Sequence, residues 1–427
     1  MKLAWSSLLR TRFDAACLAL SLVVASILSA HAQTITILHS FAYGTADGGT
    51  PRTGLIQDAA GNLYGTTSFG GDTTCDSGTG CGTVFKIDSL GNETVLYSFH
   101  GSPDGAWPAG NVIRDAAGNL YGVTNGGGEG CSQCGTVFKL SPAGIETVLY
   151  SFKGGTDGYQ PIGGLVRDAA GNLYGVTTAG GSPKCYFDFG CGTIFKVDSS
   201  GNETVLYAFA EPPDASNPEA GLIRDDDGNL YGTTFVGGDA SCNSPYGSEG
   251  CGAVFELNPS GVESVLYRFT GEADGALPGS GGYGLTRDAT GNLYGTTSAG
   301  GDLSCIVGIL TGCGTVFKID PSGVETTLYA FAGGGNRGKY GAIPNAGLIL
   351  DPAGNLYGTA EADGAFDEGT MFRLDQSGNL TGHYSFTGGT SGGLPLAGLL
   401  RDGQGNLYGT TQDGGTYAYG TVFKLTP

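Results

Sequence analysis

Residues 164–209 set a pattern that the rest of the chain repeats. Four runs rich in β-branched and aromatic residues are separated by turn chemistry, and no 3.6-residue apolar period interrupts them. Run A covers 164–168, run B 172–178, run C 192–198 and run D 203–209. Ala169-Ala170-Gly171 separates A from B, and Ser199-Ser200-Gly201-Asn202 separates C from D. Both are short loops in which glycine can supply a positive φ. The unit therefore predicts two hairpins in series, a four-stranded antiparallel meander. Thr193-Ile194-Phe195-Lys196-Val197 and Val205-Leu206-Tyr207 are apolar at successive positions. Both faces of such a sheet need cover.

The cover comes from copies of the same unit. Gly-Asn-Leu-Tyr-Gly occurs seven times, starting at Gly61, Gly118, Gly171, Gly228, Gly291, Gly354 and Gly405, at intervals of 57, 53, 57, 63, 63 and 51 residues. Radial packing of four-stranded sheets covers both faces and leaves only short edges, whereas a linear stack needs polar capping repeats. The strand count selects the ring. Run C carries its phenylalanine seven times, at Phe85, Phe138, Phe195, Phe255, Phe317, Phe372 and Phe423, but run D follows only six of them. The missing strand is at the other end, where Thr34-Ile35-Thr36-Ile37-Leu38-His39-Ser40-Phe41 matches Glu93-Thr94-Val95-Leu96-Tyr97-Ser98-Phe99. The expected fold is all-β: a seven-bladed β-propeller with four antiparallel strands per blade, its ring closed by the N-terminal strand, forming one domain over 33–427.

Residues 1–32 are excluded from this domain. Lys2, Arg10 and Arg12 form a basic segment, 15–30 a short apolar one, and Ala30-His31-Ala32 a small-x-small cleavage site. This is an export signal, with the mature chain starting at Gln33. Composition agrees with the fold, since 81 Gly with 20 Phe and 21 Tyr suits many short strands joined by tight turns. The chain has 20 basic and 40 acidic residues; removing three basic and one acidic with the signal leaves 17 against 39, a net charge of −22. Such a surface repels nucleic acid and anionic membranes. The mature protein is expected to be a soluble monomer, secreted or held in the periplasm or envelope, without membrane insertion.

The units Gly-Asn-Leu-Tyr-Gly-Thr-Thr-x-Gly-Gly, Gly-Thr-Val-Phe-Lys and Glu-Thr-Val-Leu-Tyr-Ser-Phe resemble the GloVer tandem repeats of exported bacterial proteins, over nearly all of the mature chain. The resemblance implies an extracellular or envelope location and no particular activity. Runs A and B also look like the inner strands of NHL-type propellers, most of which are binding modules and some of which are enzymes.

In a propeller the A–B and C–D turns emerge on one face, and the B–C and D–A connections on the other. The first face is monotonous. Its A–B turns begin with Asp58, Asp115, Asp168, Asp225, Asp288, Asp351 and Asp402, which read as Asx-type turn formers. The second face varies, and variable insertions in repeat proteins mark the binding face. Each of five B–C loops there holds a cysteine pair: Cys75/Cys81, Cys131/Cys134, Cys185/Cys191, Cys242/Cys251 and Cys305/Cys313. In an exported chain these read as disulfides. The CxxC pair at Cys131 also has redox or metal spacing, but supplies half of a tetrahedral zinc shell.

The D–A connections carry a recurring proline, preceded by Asp-Gly at Asp47, Asp104, Asp157 and Asp274 and by Asp214-Ala215 as a variant. Turned toward the channel mouth, these carboxylates would form an incomplete acidic ring for a divalent cation such as calcium; otherwise they are turn formers. No other cofactor is implied. Trp107, Tyr159, Tyr186, Tyr246, Tyr340 and Tyr417 gather in the same loops and are the candidate binding residues, suited to stacking on sugars or gripping a protein. Only His39, His100 and His383 remain after signal removal, all in or just after D runs on the outer rim, so a Ser-His-Asp site in the channel is hard to build. No catalytic residue is assigned. The expected function is recognition of an extracellular glycan or protein on the variable-loop face. The alternatives are a polysaccharide- or ester-acting enzyme with a metal or acid pair in the channel, where carboxylates from different blades can meet, and a passive envelope component.

Overall fold

Each unit builds its sheet from one aspartate-centred turn. Asp58 Oδ1 accepts the backbone N–H groups of Ala60 and Asn62 at 3.0 and 2.9 Å, and Oδ2 accepts the Asn62 amide at 2.8 Å and the Tyr64 hydroxyl at 3.0 Å. The Tyr-to-Asp bond recurs in all seven turns, down to Tyr408 and Asp402. Burial alone would raise these carboxyls, but the bonds they accept hold them below the usual range, Asp115 at about 2. The sequence motif thus reads as a structure: Asn and Tyr serve the aspartate, and Leu63 enters the core. The closing glycine has a separate cause, because a Cβ on Gly65 would stand 2.7 Å from Cζ of Phe85, its cross-strand partner.

The computed structural model describes residues 34–426 except 46, 183–184, 186–188, 243–249, 280–281, 283 and 333–339; the export segment lies outside the described residues. Blade 1 comprises strands A (Ile56–Gln57), B (Leu63–Thr67), C (Thr83–Ile87) and D (Glu93–Ser98), paired in that order and antiparallel. Seven such sheets form the ring, so the chain is a seven-bladed β-propeller. Strand A is shorter than the run that predicts it. It pairs over two residues in most blades, although in blade 3 it runs Tyr159–Arg167 with a register break between Ile162 and Val166, where glycines lift the backbone off strand B. Among the described residues no helix is long and apolar enough to cross a membrane.

Closure occurs as the strand count requires. Thr34–Ser40 pairs antiparallel with Thr421–Thr426, with Ile37 opposite Phe423, and becomes strand D of blade 7. The core confirms the ring. Each D strand ends in a phenylalanine that packs edge to face on the strand C phenylalanine of the next blade: Phe99 on Phe138 at 5.1 Å, Phe152 on Phe195 at 5.0 Å, and so on to Phe386 on Phe423 at 5.2 Å. Phe41 makes the seventh pair with Phe85 at 5.1 Å, from a strand that completes a blade whose other three strands lie at the opposite end of the chain. Both rings are fully buried. Each buried phenylalanine contributes about 2–3 kcal/mol by area, and each edge-to-face pair about 1 kcal/mol more.

The strand A arginines are structural. Arg114 lies over the Tyr64 ring of the preceding blade, Arg167 over Tyr121 and Arg287 over Tyr231, at 5.9, 5.5 and 5.8 Å. All five predicted cysteine pairs are bonded, with Cα separations of 5.4–5.7 Å.

Candidate functional site

The disulfide loops hold the next blade in place. The residue before each recurring proline sits in the left-handed region: Thr50, Trp107, Gln160, Asn217, Leu277, Ile343 and Leu394 have φ of 53–59°. For residues with a Cβ this conformation costs about 1–2 kcal/mol each and persists only where surroundings fix it. The fixing bond comes from the preceding blade. The N–H groups of Trp107, Gln160, Asn217, Leu277 and Ile343 donate to the carbonyls of Cys81, Cys134, Cys191, Cys251 and Cys313 at 2.8–3.1 Å. In the two junctions without cysteines, Glu368 and Tyr419 supply the carbonyl.

This backbone turn aims variable residues at the mouth of the ring. The strands keep most of their residues from blade to blade, whereas three connection positions change in most blades: those before and after the proline, and the one three residues after the second glycine of Gly-Asn-Leu-Tyr-Gly, at Ser68, Asn125, Thr178, Phe235, Ser298, Glu361 and Gln412. Many of them line two cavities. The first, about 600 Å³, takes Arg52 and Ser68 from blade 1, Trp107, Ala109 and Asn125 from blade 2, and Ile162 and Leu396 as apolar walls. Trp107 keeps its indole N–H buried and without a partner among the described residues. Gly282 of blade 5 also reaches this cavity, and its carbonyl accepts the N–H of Gly221 in blade 4. The floor is close backbone packing around the axis, where a Cβ on Gly110 would fall 2.0 Å from the carbonyl oxygen of Gly163.

The second cavity, about 490 Å³, holds two carboxylates from blades that are not neighbours, Glu219 of blade 4 and Glu361 of blade 6, with Asn345, Phe235, Leu277 and Ile343. Glu219 keeps some contact with solvent but lies deep in the ring, and burial pushes it up to about 7 against the pull of an Asn217 hydrogen bond. Burial also raises Glu361, opposed by the Asn345 amide bonded to its Oε2 and by the charge of Arg52. The cavity thus holds one carboxyl that burial holds toward its protonated form and a second that an amide donor and a guanidinium pull toward its charged form against burial. Across such a cavity the two can donate to one ligand hydroxyl and accept from another.

Of the residues expected from sequence, Trp107 lines the mouth. Tyr417 is 56% exposed, and Tyr419, 40% exposed, stacks on Tyr43 at 4.7 Å. Tyr159 is half-buried in packing against Phe152 and Phe195, and Tyr340 packs edge to face on His383 at 5.0 Å. Tyr186 and Tyr246 lie outside the described residues. The Asp-Gly aspartates do not ring the mouth: Asp104, Asp157 and Asp274 are tied to the outer strand D by the hydroxyls of Tyr97, Tyr150 and Tyr267 at 2.8–2.9 Å, and Asp47 lies beside His39. Variant Asp214 does the same with Tyr207. Glutamates from the following blade stand against them, and burial and then that proximity raise Glu146, Glu203 and Glu263 to about 7. The mouth residues Arg52, Glu219, Asn345 and Glu361 escaped the sequence reading, although the positions after the proline and, for Glu361, after Gly358-Thr359-Ala360 at the end of strand B carried the signal.

The fold is that of the seven-bladed propellers. The sequence model of the Gloeobacter/Verrucomicrobia repeat matches residues 24–244, 192–348 and 242–427, and the chain belongs to that family. No curated protein matches it. Among solved structures, an extracellular domain assigned to a hybrid two component system of B. thetaiotaomicron is 12% identical with a TM-score of 0.54, over 91% of this chain and 39% of that one. A protein assigned as a 6-phosphogluconolactonase from Bacteroides uniformis is 15% identical with a TM-score of 0.48, over 84% and 89% of the two chains. The first of these likenesses shows the fold alone.

Proposed function

We propose that the protein is an exported recognition module that holds an extracellular glycan or protein in the mouth of the ring, on the variable-loop face. One observation carries this reading: the positions on either side of the connection proline, and the one just after strand B's Gly-x-x, differ among most blades, and many of them line the two mouth cavities. A purely structural ring has no need of such variety there. The chemistry suits a neutral glycan best. Ile162 and Leu396 offer apolar walls, the Trp107 indole a ring face, and Glu219, Asn345 and Asn125 partners for hydroxyls. A net charge of −22 disfavours polyanions. Export at Ala32 and the five disulfides fit an oxidising compartment.

A glycan array with the mature chain tests the proposal, with binding to neutral oligosaccharides and no product release expected. Binding that survives both Asn125→Ala and Glu361→Ala unchanged would remove the mouth as the site. The Glu219/Glu361 pair favours a second reading, hydrolase or lyase chemistry on a polysaccharide. Product release that Glu219→Gln abolishes would establish it in place of the first.

A further inference from the structure

Four junctions on the rim of the ring share one construction, and the junction where the ring closes keeps its aspartate but replaces its tyrosine. In four junctions a strand D tyrosine, Tyr97, Tyr150, Tyr207 or Tyr267, donates its hydroxyl to the aspartate of the connection that follows. At the closing junction the N-terminal strand presents His39 in the same place. A hydrogen-bond donor has been exchanged for a ring nitrogen that can offer a lone pair.

His39 Nε2 lies 3.3 and 3.4 Å from the two carboxylate oxygens of Asp47. Backbone N–H groups of Ala42 and Gly48 fix that carboxylate at 2.8 and 2.7 Å. Glu93, from strand D of blade 1, completes the group, and one ligand atom from each of the three residues lies within 4.8 Å of the others. Glu93 Oε1 is fully buried and has no hydrogen-bond partner among the described residues. An unpartnered carboxylate oxygen facing a second carboxylate is costly unless a proton or a cation compensates it. Glu146, Glu203 and Glu263 carry the same unpartnered oxygen beside a tyrosine, and Glu93 alone of the four has an imidazole in that place.

We propose that His39, Asp47 and Glu93 form a divalent-cation site that fastens the closing strand to blade 1. One imidazole and two carboxylates suit a borderline ion of the zinc class. With metal–ligand distances of about 2.0–2.2 Å, tetrahedral ligand atoms stand roughly 3.4 Å apart. His39 and Asp47 already have that separation, so a side-chain rotation of Glu93 completes the set. The site is partly open, which leaves the fourth position to water. The three ligands come from the closing strand, the connection after it and the adjoining blade, so ion binding is linked to closure of the ring.

Zinc titration of the untagged, chelator-stripped mature chain tests this by calorimetry and thermal melting. One tight site per chain and a zinc-dependent rise in Tm are expected. His39→Tyr installs the residue that the other junctions carry, so the fold should persist with an unchanged circular dichroism spectrum. It should lower zinc affinity at least about tenfold and remove the Tm response. His100→Ala deletes the other rim imidazole beside carboxylates, 3.3 Å from Asp104 and 3.8 Å from Asp72, and should change neither. Glu93→Gln supplies an independent variant with the same expected loss. Stoichiometric zinc binding that survives both His39→Tyr and Glu93→Gln, or its absence from the parent chain, overturns the proposal.

Discussion

Phe41→Ala removes a fully buried ring from the closing strand, together with its edge-to-face contact with Phe85 at 5.1 Å. Substitutions of this kind cost about 3–5 kcal/mol. At roughly 2.1 cal/mol/K per residue, unfolding about 390 residues carries an entropy near 0.8 kcal/mol/K, so Tm should fall by about 4–6 °C. Phe99→Ala is the internal control, because Phe99 packs on Phe138 at the same 5.1 Å but belongs to a strand D that follows its own strand C in sequence. Differential scanning calorimetry of the mature chain should be run at one fixed scan rate, since large rings can unfold irreversibly. Equal falls mean that the terminal strand is as integral as any other. If Phe41→Ala melts within about 1 °C of the parent while Phe99→Ala falls as computed, ring closure by this strand is refuted.

Stability should depend on pH in an unusual sense. Burial holds Glu146, Glu203, Glu219 and Glu263 near 7, above the unfolded value of about 4.3, so the folded chain binds more protons between those limits and loses stability as pH rises through them. The turn aspartates act oppositely: although burial opposes it, accepted hydrogen bonds lower them, and their contribution is lost as pH falls below about 3.9. Tm should therefore peak near pH 4–5 and decline toward pH 8, and a Tm that climbs from pH 5 to pH 8 contradicts the assignment. Gly110→Ala should cost about 1–3 kcal/mol by overpacking. Gly403→Ala, with no atom within 4 Å of the new carbon, should stay within about 0.5 kcal/mol of the parent in the same melts. Replacing Cys185 and Cys191 by serine should cost about 2 kcal/mol by loop entropy. It should also weaken ligand binding, because the Cys191 carbonyl holds the Asn217 N–H at 2.9 Å; array binding that stays unchanged would uncouple the loop from the mouth.

The architecture was legible because its signals are local and repeated. The match between 34–41 and the D runs specified closure before any pairing was seen, and the aspartate turns and cysteine pairs need only neighbours in sequence. The mouth was less legible, because Glu219 and Glu361 meet only when blades 4 and 6 are bent around one axis. Loop length drew the reading toward aromatic insertions, whereas the more informative variation lay in single positions beside the proline. For Asp47, Asp104, Asp157 and Asp274 the sequence leaves a turn and a channel ring both open, because the partners that anchor them to the rim, strand D tyrosines or His39, lie seven or eight residues earlier.

Trp107 offers the most direct test of the mouth as the recognition site, since in a chain produced from Gln33 onward Trp5 is left out and Trp107 is the only tryptophan. Titrating an array-selected ligand into the mature chain should shift Trp107 emission and shield it from iodide, with a midpoint equal to the Kd from calorimetry. Saturable binding that leaves both emission and iodide quenching unchanged would contradict the account.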